Sequence, residues 1–339
     1  MNHQSSAVTH QPTSSDNASS SNDNSNSDNE HEDNMIPSAN DEKPKTIIDS
    51  NNVVSASDLF SAVRYGHHAA ARKLLLSNPE FVNEYDSQGY TCAHWASKKG
   101  DVEMMKLLSE FKGSFSLPTL NESRMLPIHW GASDGKVDSI RYILTNYQQY
   151  QATITTSDTS PDSVVTMSSI NAQDSNGYTP VMIATQYNHP LCVIYLIKSG
   201  CDLNCVDMNG DVALHWAAYK GSIEIVGILS HYSPLAAEQT DMFGQAPIHL
   251  ASLRGNTEVV EYLLIDCHSD PLKKDKNGQL PLDIAIKKQH FRTELAIRKY
   301  MYPDLYSLIK SLGGVGRLLG NSRMLQAIVF GSNEREISN

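Results

Sequence analysis

The chain has 339 residues, a formal net charge of −11 at pH 7 and 40% hydrophobic residues. Its first thirty residues lack the apolar core of a secretory signal, and no stretch approaches the ~18–20 apolar residues that cross a bilayer. Its five cysteines are odd in number and scattered, which fits free thiols in a reducing compartment better than a disulfide scaffold.

Residues 1–54 are rich in Ser, Asn, Asp and Gln and nearly devoid of aliphatics before Met35 and Ile36. Such a segment buries too little apolar surface to offset its ordering entropy, so it is predicted to be disordered. Nine acidic residues and two lysines give residues 1–50 a balance of −7, most of the net charge. The remainder is only mildly acidic, which argues against a nucleic-acid surface. From Ser57 to Asn83, Leu59, Phe60, Ala62 and Gly66 and then Leu74 and Leu75 outline a helix pair without a clear motif.

A short phrase then recurs. Thr91-Cys92-Ala93-His94-Trp95, Leu126-Pro127-Ile128-His129-Trp130 and Val212-Ala213-Leu214-His215-Trp216 contain all three tryptophans of the chain. Ala246-Pro247-Ile248-His249-Leu250 loses the tryptophan, and the copies at Thr179 to Met182 and Leu280 to Asp283 lose the histidine but keep the proline. Successive copies lie 35, 53, 33, 34 and 34 residues apart, a period near 33 with one insertion of about 20. Asp86, Asp174, Asp207, Asp241 and Asp275 each precede a glycine by three residues just ahead of the phrase. Asp-x-x-Gly is turn chemistry, with the glycine supplying positive φ. A threonine after it can cap a helix, and proline suits the first helical turn. That helix is predicted to stop before Gly100, Gly135, Gly221 or Gly255. A second helix follows in each copy, with apolar residues three and four apart, as in Val102-Met104-Met105-Leu107-Leu108.

Residues 148–169 are the insertion, polar and Ser/Thr-rich, predicted as a loop. Ser160-Pro161 within it is a potential phosphorylation site read more simply as unmodified loop. Residues 300–339 depart from the repeat and combine apolar residues (Leu308, Leu312, Leu318, Leu319) with Lys310, Arg317 and Arg323. They are predicted to cap the last repeat or to serve as a linker able to meet an anionic membrane.

The recurring phrase and its period resemble the ankyrin-repeat family. The resemblance covers roughly residues 55–299 and implies an all-α ankyrin-repeat solenoid of about six repeats plus a degenerate N-terminal cap at Ser57 to Asn83. One helix pair cannot bury its apolar face alone, whereas stacked neighbours can. The His-Trp version of the phrase, as in Val212 to Gly221, is similar to the ankyrin region of the Asp-His-His-Cys S-acyltransferases, the palmitoyltransferases. The sequence contains neither that catalytic motif nor a cysteine-rich zinc domain. The kinship therefore implies at most a recruiting module.

Within this frame His94, His129, His215 and His249 are structural. Members of the family use this histidine to bond backbone and tie neighbours together. Equivalent histidines one repeat apart stand too far from one another for a zinc site, whose ligands converge at ~2–2.3 Å. Cys201 and Cys205 are the only close cysteine pair and read as packed loop residues. Gly313 to Gly316 lacks the Gly-Lys-Ser/Thr of a P-loop. No nucleophile–base–acid set, cofactor site or metal site is visible. The expected function is a non-catalytic, cytoplasmic, monomeric scaffold binding a protein or peptide on the concave face of the inner helices, without nucleic acid. Membrane contact would come only through residues 300–339. The alternative is the recruiting module of a palmitoyltransferase, on the cytosolic face of a Golgi or other endomembrane. Trp95, Trp130 and Trp216, helped by Tyr90, Tyr178 and Tyr219, are the expected partner contacts, since tryptophan is enriched among binding hot spots.

Overall fold

The computed structural model describes residues 56–154, 169–304 and 307. The tail at 1–54, Ser160 and nearly all of the segment beyond 304 lie outside the described residues. The described residues form helix pairs joined by short turns. The inner helices are α1 (Ala56–Tyr65), α3 (Cys92–Lys99), α5 (Pro127–Ser133), α7 (Pro180–Gln186), α9 (Ala213–Lys220), α11 (Pro247–Arg254) and α13 (Pro281–Lys287). The outer helices are α2 (His68–Ser77), α4 (Val102–Glu110), α6 (Val137–Ile154), α8 (Pro190–Lys198), α10 (Ile223–Tyr232), α12 (Thr257–Ile265) and α14 (Phe291–Met301). Each inner helix packs on the next from α1 to α13, and each outer helix on the next from α2 to α14. The all-α stack is the one the period required.

The core is linear. Val63, Ile128, Ile183, Ala217, Ala251 and Ala285 are buried along the inner row. Leu75, Met105, Ile140, Val193, Val226 and Val260 are buried along the outer row. The motif-poor first pair belongs to the same stack, with Leu59 and Val63 fully buried.

One element is longer than the sequence suggests. Residues 148–154, expected in the polar loop, continue α6. From Val137 to Ile154 there is neither Pro nor Gly, so polarity alone does not stop the helix.

Candidate protein-interaction face

Five of the turns ahead of inner helices, those before α3, α7, α9, α11 and α13, are each built on one carboxylate. Asp207 Oδ1 accepts the amides of Asn209 (2.8 Å) and Asp211 (2.9 Å), and Gly210, at φ 82°, donates to the Asp207 carbonyl. Asp86, Asp174, Asp241 and Asp275 repeat the Oδ1 pattern. Neighbouring turns bond to one another through the backbone: Met208 N donates to Asn176 O, Met242 N to Asn209 O and Lys276 N to Phe243 O.

The histidines have a defined protonation state. His129 Nδ1 accepts the Leu126 amide (3.0 Å), so Nε2 carries the proton and donates to Ala172 O of the next repeat (2.9 Å). His94 does the same between the Thr91 amide and Met125 O, His215 between Val212 and Gln245 O, and His249 between Ala246 and Lys273 O. Burial pushes His94 and His129 down to about 4, which keeps them neutral. Both ring nitrogens face backbone, so these histidines join repeats. In the last copy Asp283 Oδ2 accepts the Leu280 amide in their place (2.9 Å).

The aromatic residues require a correction. Trp95, Trp130 and Trp216 are 4%, 1% and 1% exposed, and Tyr90 and Tyr178 are 5% and 6% exposed. Rings so deeply covered are packing groups and are not presented to a partner. Trp95 Nε1 donates to Asp86 Oδ2 (2.9 Å) and Trp216 Nε1 to Asp207 Oδ2 (3.0 Å), which completes the turn carboxylates. Trp130 packs edge-on against Tyr90, His94 and Trp95 at centroid distances of 4.7, 5.3 and 5.3 Å. Where Leu250 replaces the tryptophan, Asp241 Oδ2 is buried without a hydrogen-bond partner among the described residues. Where Ile284 does so, Asp275 Oδ2 is left the same way. Each of the three tryptophans lies nine residues after the turn's Asp or Asn, a spacing present in the sequence and not used to find this bond. Of the six expected contacts, only Tyr219 is half-exposed, with the Arg254 guanidinium 4.8 Å from its ring centroid.

A second ladder escaped the sequence reading. His189 Nε2 bonds Ser133 O (2.7 Å) and His290 Nε2 bonds Leu253 O (3.0 Å). Asn256 Nδ2 donates to Ala218 O (2.8 Å) and Tyr219 O (2.9 Å). Each of these residues precedes an outer helix and satisfies carbonyls at the end of the previous repeat's inner helix. Their identical offset after the left-handed stop was the available signal.

The surface of the inner row is therefore set by residues at the inner-helix ends. Arg64 lies 3.8 Å from the Trp95 ring and pairs with Asp86 at 3.0 Å. Beside it opens a cleft of about 270 Å³ lined in part by Ser57, Phe60, Ser61 and Tyr85. Cys92 and Cys192 are buried, and burial holds the Cys201 thiol up at about 12, which suits inert packed thiols. Among the described residues no cluster of three or more His, Cys, Asp or Glu could hold a metal, and no helix is long and apolar enough to cross a membrane.

Two family models, both described as ankyrin repeats, match residues 59–158 with 161–238 and residues 228–285. The chain belongs to the ankyrin-repeat family. Ankyrin repeats are protein–protein interaction modules, and that is the class of surface described above. The chain is similar to the target of rapamycin complex 2 subunit AVO2 of Saccharomyces cerevisiae, 23% identical over 282 residues, covering 80% of this chain and 58% of that protein. It is also similar to probable protein S-acyltransferase 23 of Arabidopsis thaliana, 34% identical over 129 residues, or 38% of this chain and 24% of the relative. Human inversin is 26% identical over 137 residues, 40% of this chain and 11% of inversin. The chain thus spans at most 58% of the length of these curated relatives.

Proposed function

We propose that this protein is a non-catalytic scaffold that binds a partner protein or peptide along the face of its inner helices. The observation that carries this reading is the uninterrupted packing of inner helix on inner helix from α1 to α13. It brings register-equivalent residues of successive repeats into one line. An extended segment can bind such a line through many small contacts. Similarity over 80% of the chain to a protein named as a subunit of a larger complex supports the same reading. The scaffold acts as a cytoplasmic monomer without cofactor. Tyr219 is the aromatic contact retained from the sequence reading.

Proximity labelling with the full chain, followed by reconstitution with the recovered partner, tests this. Tyr219→Ala, with an unchanged circular dichroism spectrum, is expected to weaken the reconstituted complex by ~2 kcal/mol, as for a hot-spot aromatic. Unchanged affinity removes Tyr219 from the interface, and recovery of no protein above background removes the scaffold reading.

A second reading has one observation in its favour, the 34% identity with an S-acyltransferase across part of the repeats. In that case the repeats recruit proteins for S-acylation elsewhere. Acyl-exchange labelling of the recovered partners decides: enrichment of S-acylated proteins supports it, and no enrichment rejects it.

A further inference from the structure

We infer that the inner-helix face is built for an acidic peptide segment, in particular one with two acidic clusters separated by an uncharged, aromatic-containing middle. This rests on the scaffold reading and specifies its partner.

Each inner helix ends in a pair of residues just before a left-handed stop. At the first end of the stack the pairs are Arg64-Tyr65 before Gly66 and Lys98-Lys99 before Gly100. The middle pairs are Ser133-Asp134 before Gly135 and Gln186-Tyr187 before Asn188. At the far end they are Tyr219-Lys220, Leu253-Arg254 and Lys287-Lys288, before Gly221, Gly255 and Gln289. Because successive inner helices pack together, these pairs form one strip, in which Lys98, Ser133 and Gln186 are buried and the other members are half-exposed or exposed. Its charge opposes that of the chain: the net charge is −11, yet Asp134 is the only acid among these pairs. Cations collect in two groups, one on each side of a nearly uncharged centre.

The helix dipole favours cations at helix C-termini, so it offers a simpler explanation. The outer helices are the internal control. α2, α4, α6 and α12 have no basic residue in the last turn, although their dipoles are alike, whereas α8 carries Lys198, α10 His231 and α14 Arg298 and Lys299. The enrichment is stronger along the inner row, where five of the seven helices carry such a residue, against three of the seven outer helices, one of them with only a histidine.

The cations are also backed by aromatic rings. Arg64 lies over Trp95 and Arg254 over Tyr219, with Lys98 Nζ 5.5 Å from the Trp130 ring centroid. At Arg254 the ring limits where the head can move while leaving its charge exposed, which reduces the ordering cost of binding an anion; Arg64 is already paired with Asp86, and Lys98 is buried. Lys99, Arg254 and Lys287 are exposed, Tyr187 is half-exposed in the centre, and Tyr65 and Tyr219 are half-exposed beside the charges.

The spacing suits a peptide. Packed helices lie ~8–10 Å apart and an extended chain advances ~3.3 Å per residue, so about every third residue meets a new repeat. A nucleic-acid strand carries charge on every nucleotide and would place phosphates against Asp134 and the uncharged centre. Discrete carboxylates at two ends match the strip; a continuous phosphate backbone does not.

The test uses the full chain and a fluorescein-labelled peptide with two Glu runs flanking a Ser/Gly/Tyr middle. Controls are the same peptide with Gln for Glu, a single-stranded oligonucleotide, and phosphatidylserine vesicles. Fluorescence anisotropy should show binding of the Glu peptide that weakens as salt rises, and little binding of the Gln peptide. Lys99→Glu/Arg254→Glu/Lys287→Glu should weaken it by at least ~10-fold, whereas Lys73→Glu/Lys106→Glu on the outer helices should leave it unchanged. If the triple reversal unfolds, the triple Gln variant, which adds no repulsion, should still show a loss, though a smaller one. Equal binding of the Gln peptide, insensitivity to both triple variants, or tighter binding of the oligonucleotide or vesicles overturns the inference. Recovered partners that bind the triple variant as well as the native chain overturn it too and leave the scaffold reading intact. Recovery of no partner by the native chain is the separate failure of the scaffold reading.

Discussion

Trp216 and Asp207 show how much one side chain can decide in this protein. Asp207 uses Oδ1 to hold its turn, which leaves Oδ2 buried and in need of a donor; the Trp216 indole supplies it at 3.0 Å. Burial raises the Asp207 carboxyl above its ordinary range, and the indole bond is among the contacts that draw it back. Trp216→Phe keeps most of the ring volume and removes the donor. It is expected to cost ~1–3 kcal/mol of stability, the penalty of leaving a buried acceptor unsatisfied. Urea denaturation measures this; an unchanged midpoint would mean that the bond adds nothing net. The sequence showed that all three tryptophans follow a histidine, which pointed to a shared role. It did not show that the role faces inward, because a ring between two helices is packed or presented according to what the neighbouring repeat places over it.

The helix pair is closed by its left-handed stop and by the residue beyond it. Gly221 sits at φ 78°, and an added Cβ there would stand 2.7 Å from Asn256 Oδ1. Asn256 in turn ties the end of α9 to the next pair. Gly221→Ala therefore meets both backbone strain and a clash with an inter-repeat tie, whereas Gly200→Ala at φ 87° meets nothing within 4 Å. Both should destabilise. Gly200→Ala is expected to cost ~1–2 kcal/mol from the left-handed backbone alone, and Gly221→Ala more. Thermal unfolding of the two variants tests the order; equal losses would mean that the Asn256 tie gives way without cost. The stops at Gly100, Gly135, Gly221 and Gly255 were legible because glycine tolerates positive φ. Asn188 and Gln289 do the same job at φ 57° and 61° and carry no such signature. The end of α6 was illegible for the opposite reason: its polar residues contain no breaker.

Across the whole stack, buried ionisable groups set opposing limits on the pH range of stability. His94 and His129 are held down to about 4 by burial, against an ordinary value of 6.5. Their stabilising neutral form is fully present above 6.5 and is lost as pH falls through 4. Asp211 is pushed up to about 8 by burial and then by the nearby charges of Asp207 and Asp241. Its contribution is fully present below the ordinary carboxylate value of 3.8 and is lost as pH rises through 8. The melting temperature should therefore fall on acidification from pH 6.5 to 4. Asp211→Asn should raise it at pH 8 more than at pH 5, because the replacement never ionises. A pH-independent effect of Asp211→Asn would show that the carboxyl ionises at no cost in the folded chain. Because repeats stabilise one another through shared interfaces, a loss at one histidine should extend to its neighbours, and hydrogen exchange near α5 should report it.

The sequence by itself determined the class of molecule. Recurrence of Asp-x-x-Gly, Pro and His near a 33-residue period is local chemistry repeated, and each copy needs only its own turn, cap and apolar stripe to be recognised. The family resemblance implied that the repeat histidines are structural, and the structure gives His94, His129, His215 and His249 their backbone partners. Only the tertiary structure decided which side chains reach the surface. That depends on the neighbouring repeat, which covers Trp95, Trp130 and Trp216 and leaves Lys99, Tyr219, Arg254 and Lys287 at the helix ends exposed or half-exposed. Burial arises between repeats, and no residue's own segment records what its neighbour will place over it.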